Sequence, residues 1–162
     1  MKVIVLAAGQ GTRLRPLTLN RPKCLVELNC KPILQYQIDV FNSVGINDIC
    51  VVGGYKADAI HNFDVTLLLN ESYRTTNMVS TLFCAENVLT GYEDVIISYG
   101  DIIFEENVIT KLLNSDADLS VVFDIEWRNY WSSRMVDPLD DAETFKLGKD
   151  YSIIELGKQP TS

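Results

Sequence analysis

Histidine is almost missing: His61 is the only one in 162 residues. Without a second histidine, a Ser-His-Asp arrangement could rest only on His61, and that residue falls in a polar segment with no ligand-spaced companion. Its expected place is an exposed surface position. The four cysteines, Cys24, Cys30, Cys50 and Cys84, include no CxxC pair, so neither a zinc site nor a disulfide framework is indicated, and buried reduced thiols are expected. No apolar run approaches the roughly 18 residues that a spanning helix requires, and the opening "VIVLAA" is shorter than a signal-peptide core. A soluble, cytoplasmic protein with no membrane span is therefore expected. A basic surplus is missing too, the formal charge being -8. That excludes the extended basic face of a nucleic-acid binder, and no nucleic-acid partner is expected.

What basic charge there is, however, is concentrated. Residues 1–31 carry six Lys or Arg against a single acid, Glu27, while the remainder holds eight basic and 21 acidic residues. The stretch "LAAGQGTRLRPLTLNRPK", Leu6 to Lys23, contains Arg13, Arg15, Arg21 and Lys23 and no acid. One compact basic segment in an acidic chain suits a small polyanionic ligand.

At 47% hydrophobic composition the chain can bury one sizeable core, and a single domain over residues 1–162 is expected. "KVIVLAA" is a continuous β-branched run, as in a parallel strand covered on both faces. A helix follows from Pro32, with Ile33, Tyr36 or Gln37, Val40, Phe41 and Val44 at helical spacing and Gly45 as its cap. The pattern then alternates: strand "DICVVGG", helix "KADAIHNF", strand "VTLLLN", helix "VSTLFCAENVL", strand "DVIISYGD", helix "EENVITKLLNSD", strand "DLSVVFD". This alternation predicts an α/β fold, three-layer α/β/α with a Rossmann-like, mostly parallel sheet.

In such sheets ligands sit beyond the carboxyl ends of the strands, where both the "AAGQGTR" loop and the "YGD" turn fall. Gly9 and Gly11 allow backbone amides to approach a ligand. The loop lacks the third glycine of a dinucleotide fingerprint, position 14 being Leu14, and the Gly-Lys-Ser/Thr ending of a Walker A loop. Arg13 and Lys23, in a segment stiffened by Pro16 and Pro22, can converge on phosphate oxygens. Arg15 and Arg21 read equally as solvated loop charges.

The unbroken match of Leu6–Lys23 to "LAAGxGTRLxPLTxxxPK" resembles the signature of the nucleoside-triphosphate transferase family, which includes sugar-1-phosphate nucleotidyltransferases and CTP:phosphocholine cytidylyltransferases. The resemblance covers about the N-terminal two-thirds of such a domain and implies a nucleotide-diphospho-sugar transferase type of fold. It implies that Leu6, Ala7, Ala8 and Gly9 line the base and ribose, and that Gly11, Thr12, Arg13 and Lys23 hold the triphosphate. It also points to Asp101 as the Mg²⁺ ligand, and so to Arg13, Lys23 and Asp101 as the catalytic set. From position alone an aspartate after a strand reads more readily as a cap or turn former, and it is the motif that favours the metal ligand. The chemistry suits these residue types, because two unit charges about 4 Å apart repel by roughly 4 kcal/mol at an effective dielectric of 20. Cations and a positioned phosphate nucleophile suffice, without a catalytic triad.

The segment "NESYRTTNMVSTL" is more similar to phosphocholine and phosphonate cytidylyltransferases than to nucleotide-sugar enzymes. Asn77 and Ser80 are then base or ribose contacts, although both residue types are also common helix caps. Trp127, Tyr130 and Trp131 stand at i, i+3 and i+4, among eight Asp or Glu over residues 116–143. Aromatic faces in acidic surroundings suit a cationic head group; packing of the aromatics explains the pattern equally well.

The expected reaction is transfer of CMP from CTP, or of another nucleotide, to a phosphocholine-like or 2-aminoethylphosphonate acceptor with release of pyrophosphate. A sugar-1-phosphate nucleotidyltransferase and a non-catalytic nucleotide-binding module are the alternatives. By analogy with the family a C-terminal segment with a second metal-binding acid is expected, for which Asp141 and Glu143 are candidate substitutes. Truncation would expose a sheet edge or apolar face and leaves self-association into a homo-oligomer open.

Overall fold

The computed structural model describes residues 1–160 apart from Tyr92 and Asp141. In chain order its elements are β1 (Lys2–Ala7), β2 (Glu27–Leu28), β3 (Lys31–Pro32), α1 (Ile33–Ser43), β4 (Ile49–Gly53), β5 (Thr66–Leu69), α2 (Met78–Phe83) and α3 (Glu86–Leu89). They continue with β6 (Val95–Tyr99), α4 (Glu106–Leu113), α5 (Trp127–Ser132), β7 (Phe145–Leu147) and β8 (Ile153–Leu156). Two compact units result, Met1–Ser120 and Val121–Ser162.

The first unit is built on a four-stranded sheet of order β5-β4-β1-β6, all neighbours parallel. Period-two alternation divides β1 between two cores. Val3 and Val5 face a layer containing Leu34, Ile38 and Phe41 of α1 and Ile109 of α4. Ile4 faces the opposite layer with Ala85 and Leu82. Every residue of β4 is buried, which is why its sequence reads as an apolar run without alternation. The three-layer α/β/α architecture expected from the alternating pattern is thus present.

Helix α1 ends where glycine permits. Gly45 takes φ +82°, and the amides of Gly45 and Ile46 donate back to the carbonyls of Asn42 and Phe41 at 3.0 and 2.9 Å, a Schellman closure. Its buried stripe is Leu34, Gln37, Ile38 and Phe41; Phe41 and Gln37, the alternative to Tyr36, are in it as expected, whereas Ile33, Tyr36, Val40 and Val44 of the expected stripe are only half-buried. Both stripes fit a 3.6-residue period, and the polar Gln37 in the middle of the buried one hides it from an apolar count.

Three local expectations change. "KADAIHNF" is a 3₁₀ helix over Ala57–Asn62, with His61 exposed on it. "VSTLFCAENVL" breaks into α2 and α3, Cys84 and Ala85 falling between them. "DLSVVFD" forms no strand: it has no ladder partner, its Leu119 and Val122 are 80% and 54% exposed, and it runs across the junction of the two units. A β-branched run becomes a strand only when an edge accepts it. All four cysteines are free; Cys24 and Cys50 are buried as expected, Cys30 and Cys84 exposed.

The second unit comprises α5 and the antiparallel pair β7–β8, whose register shifts between Lys146 and Leu147.

Candidate functional site

Strand order places the site. The chain passes from β1 outward to β4 and β5, then returns to lay β6 on the other side of β1. The order therefore reverses between β1 and β6, and a crevice opens beyond their carboxyl ends. In-register pairing of Leu6 with Tyr99 brings the glycine loop and the "YGD" turn to the same level. The Gly100 amide donates to the Leu6 carbonyl at 2.9 Å. A β-carbon on Gly100 would lie 2.9 Å from the Ala7 side chain, so only glycine permits the approach.

The resulting cleft has a volume of about 270 Å³. One wall is Leu6, Ala7, Ala8 and Gly9; the floor carries Lys23, Cys24, Gly100 and Asp101. The facing lip is Tyr73, Thr76, Asn77, Met78 and Thr81, with Tyr99 beside it. Lys23 Nζ donates to Asp101 Oδ2 across a sequence separation of 78 residues. The two charged groups that the sequence pointed to are thus in direct contact.

The loop holds its shape through Gly11 and through two residues that sequence reasoning passed over, Thr18 and Tyr55. Gly11 sits in the left-handed region at φ +59°. Its carbonyl accepts from the fully buried Thr18 Oγ1 at 2.8 Å. A β-carbon at Gly11 would come within 3.0 Å of Lys23 Cβ and 3.1 Å of Thr18 Cγ2, so the bare glycine is what lets the lysine stem pack against the loop. From the turn after β4, the Tyr55 amide donates to the Ala8 carbonyl at 3.1 Å.

The lip is fixed by Asn70. Its buried amide donates to Thr76 Oγ1 at 3.0 Å and Thr81 Oγ1 at 2.9 Å, and its backbone amide donates to Gly53 O at 2.8 Å. Asn77 caps α2, its Oδ1 accepting from the Ser80 amide at 3.1 Å. The cap and the cleft wall are therefore the same residue, and its Nδ2 is the group left to meet a ligand.

Seven of the residues named from sequence line this cleft: Leu6, Ala7, Ala8, Gly9, Lys23, Asn77 and Asp101. Gly11, Thr12, Arg13 and Ser80 lie outside its lining. Arg13 is exposed and has no ion pair among the described residues, whereas Arg21 is occupied by Glu27 at 2.7 Å. Tyr73, Thr76, Met78, Thr81 and Tyr99 were missed. Their common signal, neighbours of "NESYRTTNMVSTL" or of "YGD", was present without a periodicity to select them.

Burial pushes the Cys24 thiol up to about 12, and the nearby Asp101 carboxylate adds to the shift. A neutral thiol beside the lysine leaves the cation uncompensated except by Asp101. No group of three or more His, Cys, Asp or Glu suited to a metal ion occurs among the described residues. Asp101 is the one carboxylate lining the cleft. That donor set fits Mg²⁺, which commonly takes one or two carboxylates and completes its shell with phosphate oxygens and water. Of the candidate second acids, Glu143 is exposed in the second unit, and Asp141 lies outside the described residues.

In the second unit α5 forms as the aromatic spacing implied. Tyr130 and Trp131 pack edge to face at 5.3 Å. Arg128 lies 5.1 Å over the Trp127 ring, and Arg134 lies 5.0 Å from Tyr130 and 5.7 Å from Trp131. These faces do accept cations, and guanidinium groups of the chain itself are on them.

Residues 3–144 match the family model for the MobA-like NTP transferase domain. A CTP:phosphoglutamine cytidylyltransferase of Campylobacter jejuni is 45% identical, over 98% of this chain and 66% of that protein. The solved structure of a CTP:phosphocholine cytidylyltransferase from Streptococcus pneumoniae is 36% identical, covering 65% of this chain and 49% of that one, with a TM-score of 0.57. A solved structure from Bacillus anthracis, 18% identical, covers 100% of this chain and 65% of its own at a TM-score of 0.71, which shows the fold alone. This chain spans about half to two-thirds of the length of these relatives. Among the described residues no helix is long and apolar enough to cross a membrane.

Proposed function

This chain belongs to the MobA-like NTP transferase domain family, and on that premise we propose that it forms the CTP-binding part of a cytidylyltransferase, the whole protein transferring CMP to a small phosphorylated acceptor. The observation that carries the reading is the meeting of Lys23 and Asp101 at the β1–β6 switch point. The 45% identity to a CTP:phosphoglutamine cytidylyltransferase favours CTP over other triphosphates. The reading treats both units as parts of one nucleotidyltransferase domain.

In the reaction an oxygen of the acceptor's phosphate forms a bond to the α-phosphorus of CTP. The bond from that phosphorus to the bridging oxygen breaks, and pyrophosphate leaves. Leu6, Ala7, Ala8 and Gly9 place the nucleoside against a wall in which Ala7, Ala8 and Gly9 carry nothing beyond a β-carbon. Asn77 offers its amide and Ser80 stands behind it in the cap. Lys23, paired internally with Asp101, exchanges that partner for phosphate oxygens as the nucleotide enters. Arg13, exposed and without an ion pair among the described residues, turns with Gly11 and Thr12 onto the outer phosphates. Asp101 would hold Mg²⁺, which would supply positive charge to offset the negative charge that develops on the leaving pyrophosphate. Fixed cations of this kind are worth most in a cleft from which water is excluded.

For the acceptor, phosphoglutamine, phosphocholine and 2-aminoethylphosphonate share a phosphorus acid joined to a polar or cationic nitrogen group. Trp127, Tyr130 and Trp131, which take up guanidinium groups of this chain, are the proposed contacts for that end. Replacing Trp127 by Ala is expected to raise the acceptor's KM severalfold more than that of CTP; equal effects would assign the tryptophan to packing. Charged, membrane-impermeant substrates put the reaction in the cytoplasm.

Pyrophosphate release from the full-length protein, measured with CTP, UTP, GTP and dTTP against those three acceptors and glucose 1-phosphate, tests the function. Turnover is expected with CTP and a nitrogen-bearing acceptor. Turnover confined to the sugar phosphate would replace the acceptor assignment, and CTP binding without release under every condition would make the domain a binding module.

A further inference from the structure

We propose that Gln37, a residue outside the cleft, is the positioning residue for Asp101. The inference rests on the reading of Asp101 as the metal-holding carboxylate. Gln37 is fully buried in α1 between Leu34, Ile38 and Phe41, a place where an apolar side chain would be ordinary. Its Nε2 donates to the carbonyls of Tyr99 and Ile102, both at 2.8 Å. Ser98 Oγ donates to its Oε1 at 3.1 Å. Only this orientation of the amide works, because the flipped one would set Oε1 against two carbonyl oxygens.

These contacts clamp one feature. Tyr99 and Ile102 bracket the Gly100–Asp101 turn, so the two carbonyls on either side of the aspartate are tied to one side chain. That side chain belongs to a helix whose buried face is anchored in the main core. Ser98, on β6, completes the link between the helix and the strand that delivers the turn. Gln37 does not touch the Asp101 carboxylate and fixes the backbone that carries it. A buried amide that satisfies both donors and its acceptor rigidifies its partners, whereas an apolar replacement would take the Nε2 donor from the Ile102 carbonyl and leave the Tyr99 carbonyl and the Ser98 hydroxyl only their long mutual contact at 3.4 Å. The Gly100 amide on Leu6 and the Lys23–Asp101 pair hold the turn from within the cleft, and the tie to Gln37 comes from α1, outside the cleft lining.

The test compares the full-length protein with Gln37→Met, similar in size and unable to hydrogen-bond, and Ser98→Ala, which removes the bond to Oε1 and a longer one, 3.4 Å, to the Tyr99 carbonyl while leaving both bonds from Nε2. Hydrogen exchange of the Gly100 amide reads the turn directly, and exchange of the α1 amides reads global stability. Gln37→Met is expected to speed Gly100 exchange by about tenfold relative to α1, and Ser98→Ala by a smaller factor in the same direction. Titration with Mn²⁺ in the presence of CTP is expected to show about tenfold weaker ion binding in Gln37→Met, the lower end of what loss of a group supporting a metal ligand costs. Uniform acceleration of α1 and Gly100 in both variants would reduce Gln37 to a core residue and overturn the proposal. Faster turn exchange with unchanged Mn²⁺ affinity would overturn it as well, by separating the tether from the ion. Failure of the parent protein to bind Mn²⁺ with CTP would instead refute the functional reading, because the exchange result does not depend on it.

Discussion

Two glycines of one loop, two residues apart, are expected to fail in different ways when given a methyl group. Gly11 has φ +59°, and a β-carbon there meets Lys23 Cβ at 3.0 Å and Thr18 Cγ2 at 3.1 Å. Left-handed backbone costs a residue with a β-carbon roughly 1–2 kcal/mol, and the crowding must be relieved by pushing the lysine stem or the buried threonine. Gly11→Ala should therefore destabilise by about 2 kcal/mol, lowering Tm by roughly 4–8 °C in a protein of this size. Displacing Lys23 Nζ by about 1 Å should also cost on the order of 100-fold in turnover. Gly9 is the opposite case: its β-carbon would meet nothing within 4 Å, and the residue lines the cleft. Gly9→Ala should leave stability within about 0.5 kcal/mol. CTP affinity should fall roughly tenfold or more, because the methyl group occupies space reserved for the ligand. Thermal unfolding and calorimetric titration with CTP and Mg²⁺ separate the two. Normal CTP affinity in Gly9→Ala, or an unaltered Tm in Gly11→Ala, would refute the loop geometry and the ligand placement that depends on it.

Lys23→Ala and Asp101→Ala should each lower turnover by about 100-fold or more in a pyrophosphate-release assay. Stability should change by less than about 1 kcal/mol, because the pair is partly solvent-exposed. Near-normal turnover would remove the residue from the mechanism. The Cys24 thiol is pushed up to about 12 from an ordinary 9 by burial. The unfolded chain therefore loses this proton first, and stability should fall as pH rises from 9 toward 12, by up to about 1.4 kcal/mol per pH unit for this group. Urea unfolding from pH 8 to 11 should show a shallower loss in Cys24→Ala, and an unchanged slope would contradict the burial argument.

The central strands were legible because β1 and β4, buried on both faces, are written as uninterrupted apolar runs. Lys23 and Asp101 were legible through the resemblance of Leu6–Lys23 to a family signature, which implied both residues; the position of Asp101 just after β6 alone reads more readily as a cap or turn. What stayed hidden depends on tertiary partners. Gln37 looks like a polar interruption of a helix until β6 supplies the carbonyls it serves. Asn70 looks like a loop residue until two threonines of the lip come to it. "DLSVVFD" carries every local mark of a strand and lacks only an edge to join, which no local pattern can record. Asn77 was read two ways, and both descriptions locate it: it caps α2 and lines the cleft.

The most direct test is a crystal structure of the protein with CTP and Mg²⁺. Density for the nucleotide should lie between Ala7–Gly9 and the Gly100–Asp101 turn, with Lys23 Nζ moved from Asp101 onto a phosphate oxygen and the ion against the aspartate. Nucleotide bound elsewhere, or bound there with the Lys23–Asp101 pair intact, would contradict the account.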